Sequence, residues 1–423
     1  LEKGASRPAG VPDQTVKKLG VLGAGMMGAG IALVSALAGI EVVLIDRDEE
    51  TAEKGKAYTT AYMDKGIARK KATPEKKEEV LARIDATPDL SKLADVDLVI
   101  EAVFEDPTVK GEMTRKVEAI IPADAIFATN TSTLPIGDLA QASARSDQFI
   151  GIHFFSPVDK MMLVEIIKGA ETGDRAVAKA LDYVRQIKKT PIVVNDARFF
   201  YANRCIIPYG AEANRMVAEG IEPALIENGA KQMGMPLGPL QLGDETSVDL
   251  AYRIMNATKE AMGNAYPASN GDDVVTALYE AGRLGRKTKA GYYAYDEKGK
   301  RAGLWKGLGD HFEVMEDQPA VTEVQHRLAM AQVLEAVHAL SEGVLMDIRE
   351  GDVGAVLGWG FMPWSGGPFA WLDILGAAKA VEICEGLAAK HGDRFAPPPL
   401  LREMAEKGET FYGRFTETAP AAA

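Results

Sequence analysis

The strongest constraint in this sequence lies near its beginning. The apolar run Lys18–Leu22 passes without a break into Gly23-Ala24-Gly25-Met26-Met27-Gly28, and a helix-like stretch continues through Ala38. A strand that turns into a helix through glycines at these three places has a physical purpose. Gly23 permits the tight turn, Gly25 lets the backbone approach a pyrophosphate, and Gly28 lets the helix pack closely, while the helix N-terminus supplies unbonded N–H groups and positive potential. Eighteen residues after Gly28 a second strand-like run ends at Asp46, whose carboxylate can accept bonds from ribose hydroxyls and would repel a 2′-phosphate. The pattern predicts a dinucleotide site with NAD favoured over NADP; the neighbouring Arg47 can soften that repulsion.

The rest of the first half agrees. Short apolar runs at Lys18–Leu22, Glu41–Ile45, Val96–Val103, Ala125–Ala128, Phe149–His153, Val164–Ile167 and Pro191–Val194 alternate with helical stretches, the signature of a mostly parallel, doubly wound sheet. After Asp196 the strand-like runs give way to helical patterns rich in Ala, Glu, Met and Leu. Glu212-Ala213 with Glu219-Gly220 recurs as Glu335-Ala336 with Glu342-Gly343, both offset by 123 residues, and each is followed by a Gly-Pro pair, Gly238-Pro239 and Gly367-Pro368. Such short words also match by chance, so the duplication is an expectation. The fold expected is an α/β Rossmann-like doubly wound sheet followed by an all-α C-terminal region of two similar helical units. Its parts are a linker over 1–15, a nucleotide-binding domain over 16–196, helical domains over 197–300 and 320–423, and a joint over 301–319.

Size and charge narrow the function. A chain of 423 residues with 47% hydrophobic and 26% charged residues has ample core for several domains. A net charge of -13 argues against a nucleic-acid footprint. The two cysteines, Cys205 and Cys384, are far apart and lack metal-like spacing, which points to a reducing, cytoplasmic compartment and to no metal site. The most apolar stretch, Gly30 to Ile45, is interrupted by Glu41 and too short to span a bilayer. The opening at Leu1 reads as linker, as in a piece of a longer polypeptide.

Three segments go beyond a generic nucleotide fold: Asn130-Thr131-Ser132-Thr133-Leu134, Gly151-Ile152-His153-Phe154-Phe155-Ser156-Pro157 and Val164-Glu165-Ile166. Each puts a polar residue at or near a strand end, where open α/β sheets bind ligands. A turn through Ser156–Lys160 can bring His153 and Glu165 together. A carboxylate on one imidazole nitrogen fixes the tautomer and stabilises the protonated ring, leaving the other nitrogen to abstract a hydroxyl proton as hydride departs. By itself, His153 with its apolar neighbours reads first as a hydrogen-bonded core histidine.

From about Leu19 to Tyr295 the chain resembles the L-3-hydroxyacyl-CoA dehydrogenase family in Gly-Ala-Gly-Met-Met-Gly, Val-Ile-Glu-Ala-Val-Phe-Glu, Asn-Thr-Ser-Thr-Leu and His-Phe-Phe-Ser-Pro, in that order and spacing. With its linker and second helical unit it is similar, over its whole length, to the dehydrogenase part of multifunctional fatty-acid β-oxidation enzymes, whose N-terminal part is an enoyl-CoA hydratase. The resemblance implies NAD-dependent oxidation of (3S)-3-hydroxyacyl-CoA to 3-oxoacyl-CoA, an acyl-CoA substrate, and a fused or associated hydratase and thiolase. It implies His153 as base, Glu165 as its partner, and Ser132 and Asn203 as hydrogen-bond partners of the substrate oxygens, with Asn203 closing the site from the second domain. Residues alone would make Ser132 part of a polar turn and Asn203 a helix cap. Met27, Val103, Glu105, Lys110 and Lys287 match cofactor-contacting positions, although Glu105 and Lys110 are on spacing alone a helix-face pair. Ser156 departs from the family's usual asparagine at a position tied to the nicotinamide end. Trp371 matches a position associated with substrate, and equally suits a helical core.

Coenzyme A carries phosphates that an acidic protein must meet with local positive charge. Lys65, Arg69, Lys70 and Lys71 are the candidates, against a plain solvated charge run. His326, offset by 123 residues from Asn203, is expected to be structural. Two other readings stay open: a dehydrogenase acting on a free hydroxy acid, and a nucleotide-binding protein without turnover.

Overall fold

The computed structural model describes residues 6–267 and 269–416, so residues 1–5 of the expected linker and 417–423 of the second expected helical domain lie outside the described residues. The chain divides into two compact units, Leu1–Asn203 with Glu342–Glu350, and Arg204–Ser341 with Gly351–Ala423. The two expected helical domains, 197–300 and 320–423, fall for the most part in one unit, in keeping with copies that pack on each other.

The first unit is built on an eight-stranded sheet. Its strands are β1 (Lys18–Leu22), β2 (Glu41–Ile45), β3 (Ile84–Thr87), β4 (Leu98–Glu101), β5 (Ile126–Thr129), β6 (Phe149–Phe154), β7 (Leu163–Lys168) and β8 (Thr190–Asn195), in the order β3-β2-β1-β4-β5-β6-β7-β8. All neighbours are parallel except β6 and β7. The helices α1 (Met26–Leu37), α2 (Glu49–Ala68), α3 (Pro74–Ala82), α4 (Pro107–Glu118), α5 (Ile136–Ala140) and α6 (Asp174–Gln186) accompany it. β5 and β6 are buried along their whole length, which is why they read as continuous apolar runs rather than alternating ones.

β3 was not among the expected strands. Its sequence is Ile-Asp-Ala-Thr with Asp85 exposed, and it becomes a strand by pairing with β2 at the sheet edge. At the other edge β8 is covered: Asn195 donates its N–H to the Val344 carbonyl at 2.9 Å, and Val194 bridges Leu345. The described part of the linker is fastened to α6, where the Arg7 guanidinium meets both oxygens of Asp182 at 2.8 Å and Gln14 donates its N–H to the same carboxylate.

The strand order reverses between β1 and β4, opening a crevice at their C-terminal ends. The glycine turn sits there. Gly23 has φ +95°, and a Cβ on it would come within 2.6 Å of the Ala102 carbonyl oxygen; one on Gly28 would collide with the Gly23 carbonyl at 1.7 Å.

The second unit contains α7 (Ala202–Ala218) from Arg204 onward, α8 (Pro223–Met233), α9 (Pro239–Thr246), α10 (Val248–Met262) and α11 (Gly271–Glu280). An antiparallel hairpin follows, β9 (Tyr293–Tyr295) with β10 (Arg301–Leu304), then α12 (Leu308–His311). The region is therefore not purely helical, and part of the expected joint is a paired strand. Then come α13 (Val321–Ser341), α14 (Ile348–Gly358), α15 (Pro368–Leu375), α16 (Ala377–His391), α17 (Pro399–Lys407) and α18 (Phe411–Thr416).

The duplication is visible in the chemistry of the helix ends. Glu227 of α8 accepts the N–H groups of Leu240 and Gln241 at the start of α9, at 2.7 and 3.3 Å, and takes the Tyr293 hydroxyl at 2.5 Å. Asp352 of α14 does the same for Phe369 and Ala370 at the start of α15, at 2.8 and 3.0 Å, with the Tyr412 hydroxyl at 2.9 Å. Asp244 near the end of α9 accepts Tyr292 and Tyr293 N–H, and Asp373 of α15 accepts Phe411 and Tyr412 N–H. Between copies, Arg204 meets Glu335 at 2.5 Å and Arg327 meets Glu212 at 2.6 Å. Both members are shifted by the same 123 residues, the reciprocal pairing of an interface with twofold symmetry. Among the described residues no helix is long and apolar enough to cross a membrane.

Candidate active site

β6 and β7 run antiparallel, and their register sets His153 directly opposite Glu165. His153 Nδ1 lies 3.0 Å from Glu165 Oε2, with both side chains buried. The other carboxylate oxygen, Oε1, accepts the N–H groups of Tyr201 and Ala202 at 2.9 and 3.0 Å, where α7 begins. A helix start offers unbonded donors and positive potential, so this carboxylate is oriented from both sides. The imidazole is flanked by the rings of Phe155 and Phe200, at centroid distances of 4.5 and 5.9 Å. Nδ1 being engaged by Glu165, Nε2 is the nitrogen left to meet a ligand.

The strand ahead of His153 is set from the side. Asn130, at the end of β5, accepts the Phe154 N–H through Oδ1 at 2.8 Å. Beyond it, the Ser132 carbonyl accepts the Asn203 side-chain amide at 2.7 Å. Ser132, Asn203, His153 and Glu165 all fall in the first unit. Asn203 was expected to reach the site from the second domain; it groups with the first because the two residues before it are bound to Glu165.

At the glycine turn, α1 starts with no side-chain cap and no acidic residue in its first turn, and a Cβ on Gly25 would meet nothing within 4 Å. Free helical donors beside open space fit a pyrophosphate. Asp46, just past β2, accepts the Ala24 N–H at 2.7 Å through Oδ2 and the Arg47 N–H through Oδ1, so it braces the turn. Arg47 turns to Asp48 at 3.0 Å rather than to Asp46. Ser156 lies 3.7 Å from the Met26 sulfur, which brings the end of β6 beside the turn.

Glu105 and Lys110 do not form a helix-face pair. Glu105 precedes α4, which starts at Pro107, and Lys110 is 2% exposed. The Lys110 ammonium sits 2.9 Å from Glu101 and 3.2 Å from Glu105. Glu101 also accepts the Thr129 hydroxyl at 2.8 Å and the Val103 N–H at 2.7 Å. Burial acts to raise the Glu105 carboxyl, but Lys110 and the bonds from Thr131 and Ser132 outweigh it and hold the group below the usual carboxylate range. Glu101 was overlooked in the sequence, although a glutamate closing an apolar strand signals a buried, paired charge.

Lys65, Arg69, Lys70 and Lys71 are exposed at and after the end of α2. Lys287 and Trp371 belong to the second unit. Lys287 pairs with Asp249 at 2.5 Å, and Trp371 is 8% exposed within α15, the position of a core aromatic.

A dinucleotide turn beside an acid-backed imidazole defines an NAD-dependent oxidoreductase. The model of the 3-hydroxyacyl-CoA dehydrogenase NAD-binding domain matches residues 18–197, and that of the family's C-terminal domain matches 200–295 and 324–416. The chain belongs to the 3-hydroxyacyl-CoA dehydrogenase family. It is similar to 3-hydroxybutyryl-CoA dehydrogenase of Escherichia coli, at 25% identity and TM-score 0.80, over 93% of this chain and 99% of that one. It also resembles (S)-3-hydroxybutyryl-CoA dehydrogenase of Ralstonia eutropha, at 34% identity and TM-score 0.62, over 67% of this chain and 100% of the other. The dehydrogenase part of multifunctional enzyme 1 of C. elegans matches at 27% identity and TM-score 0.66, over 92% of this chain and 89% of that one.

Proposed function

We propose that this chain oxidises (3S)-3-hydroxyacyl-CoA to 3-oxoacyl-CoA as the dehydrogenase step of fatty-acid β-oxidation, with His153 as general base. The observation that carries the reading is the His153–Glu165 pair at 3.0 Å, which leaves one imidazole nitrogen to take the 3-hydroxyl proton. Bound NAD supplies the acceptor for the hydride leaving C3. Glu165 stabilises the imidazolium formed on proton transfer, its charge held in place by the amides of Tyr201 and Ala202. Ser132 and Asn203 hydrogen-bond the substrate oxygens.

The cofactor is held by the α1 start at Gly23, Gly25, Met27 and Gly28, with Asp46 at the ribose and Val103 and Ser156 along the crevice. Lys65, Arg69, Lys70 and Lys71 meet the coenzyme A phosphates, being exposed and, among the described residues, given no acidic partner. A cytoplasmic setting, with a hydratase and a thiolase acting before and after this step, completes the proposal.

The test follows NADH formation with 3-hydroxybutyryl-CoA and with free 3-hydroxybutyrate. Turnover of the thioester alone is expected, together with a loss of roughly 10²- to 10⁴-fold in His153→Ala. Equal use of the free acid, or unchanged turnover in that variant, would refute the reading.

A further inference from the structure

The turn that joins β6 to β7 carries Ser156 and separates His153 from Glu165. β7 runs antiparallel to β6, and β8 parallel to β7. The starts of β7 and β8 therefore lie at the same edge of the sheet as the end of β6, where the crevice opens. Lys189 stands at that edge, one residue before β8. The end of α6 delivers it there: the Lys188 N–H returns to the Arg185 carbonyl at 2.9 Å and the Lys189 N–H to the Val184 carbonyl at 3.0 Å, with Lys188 at φ +60°. A helix closed in this way usually carries glycine at the left-handed position; here a lysine takes it, and the residue that follows is only 7% exposed. The Lys189 ammonium donates to the Val158 and Met161 carbonyls, at 2.5 Å each. Burying an ammonium is costly unless its donors are used, and here they are used on the backbone of the β6–β7 turn.

The same turn is fastened on its other side. The Tyr58 hydroxyl of α2 donates to Asp159 at 2.9 Å, and burial and Asp159 push that hydroxyl up to about 12, which keeps it a donor. Val158 packs onto α1, where a Cβ on Gly30 would come within 2.8 Å of it. Ser156 Oγ faces the Met26 sulfur at the first residue of α1. Residues 156–161 are thus seated on the two helices that flank the nucleotide turn and pinned from the sheet by Lys189.

We propose that Lys189, together with Tyr58, is a positioning residue that holds the 156–161 turn so that Ser156 faces the nicotinamide end of the dinucleotide. The proposal rests on the assignment of Ser156 to that end. His153 and Glu165 are set opposite each other by the pairing of β6 with β7, so loosening the turn acts on the cofactor and spares the thioester.

The experiment measures NADH affinity by fluorescence, and kcat/KM for NAD and KM for 3-hydroxybutyryl-CoA by absorbance. The variants are Lys189→Met, Ser156→Ala, Tyr58→Phe and the double variant Lys189→Met/Ser156→Ala. Methionine keeps the apolar stem and removes the donors. Lys189→Met should weaken NADH binding and lower kcat/KM for NAD by about 10-fold, what one hydrogen bond from a charged group is worth. KM for the thioester should stay within about twofold, a split that general loosening of the fold would not give. The double variant should bind NADH about as Ser156→Ala does, because the turn then has no serine left to place. Tyr58→Phe removes the fastening to Asp159 and should weaken NADH about threefold. If Lys189→Met does not fold, this variant carries the test, and parental NADH affinity in it would overturn the proposal. Losses that multiply in the double variant, equal rises in KM for NAD and thioester, or parental NADH affinity in Lys189→Met would overturn it as well. Ser156→Ala binding NADH at parental strength would bring down the Ser156 assignment and this proposal with it; weak binding there beside parental binding in Lys189→Met would bring down this proposal alone. The fluorescence readout does not need the thioester to be a substrate, so a failure of the dehydrogenase reading shows separately, in the absorbance assay.

Discussion

Glu165→Gln separates the chemical role of this residue from its structural one. The substitution preserves volume, and one amide oxygen can go on accepting from Tyr201 and Ala202. It also sets an NH₂ against His153 Nδ1, where Oε2 now lies at 3.0 Å. Nδ1 must then accept rather than donate, so the ring hydrogen moves to Nε2, and the nitrogen proposed to take the substrate proton is occupied. The expected loss is that of a positioned base, roughly 10²- to 10⁴-fold in kcat. Stability should fall by only about 2 kcal/mol, the difference between two charge-assisted and two neutral bonds. Glu165→Ala behaves differently: it leaves two buried N–H groups without an acceptor, at about 1–3 kcal/mol each. NADH absorbance gives kcat, and urea unfolding gives the stability of both variants. A Glu165→Gln enzyme within tenfold of the parent, or a Glu165→Ala protein unfolding at the parental urea concentration, would refute the reasoning.

Asp46→Ala should weaken NAD binding more than acyl-CoA binding, because it removes both the proposed ribose acceptor and the partner of the Ala24 N–H; titration of each ligand checks this. Burial pushes the Glu350 carboxyl up to about 7 despite the bond from the Val193 N–H. A carboxyl raised in the folded state contributes stability that is present below its ordinary range and lost as pH rises through about 7. Glu350→Gln should therefore raise Tm at pH 8 relative to the parent and leave it nearly unchanged at pH 4, as calorimetry across pH would show; a pH-independent shift argues against it. Arg327 is 1% exposed and meets Glu212 and Glu219, both at 2.6 Å. Arg327→Ala should destabilise the helical unit by about 1.5–3 kcal/mol, the loss of charge-assisted bonds to a Glu212 that keeps Arg394 at 2.8 Å, and a loss under about 1 kcal/mol in denaturant melts would contradict it.

The nucleotide end was legible because its chemistry is local. A strand, three glycines, a helix and an acid follow one another in the chain, and the closest approach, Gly28 on the Gly23 carbonyl, is between residues of the same turn. The repeat was legible for a related reason: short words spaced by 123 residues fall on or just after α7 and α13, and the helix starts downstream recur with a carboxylate, Glu227 or Asp352, accepting the first amides. β3 was not legible, because its strand character comes from β2 rather than from its own four residues. The Lys110 arrangement also escaped, since sequence distance suggested a helix face while the ammonium turns inward to Glu101.

Alternation of strand and helix, the glycine turn and the order of the polar segments therefore settle the class of fold and the presence of a dinucleotide site, because backbone geometry and hydrophobic period act over a few residues. The pairing of His153 with Glu165 in one antiparallel register, the helix start that holds Glu165 and the grouping of Asn203 with the sheet are decided in three dimensions. A buried charge takes whichever partner burial brings within about 3 Å, and that partner's place along the chain does not reveal the choice.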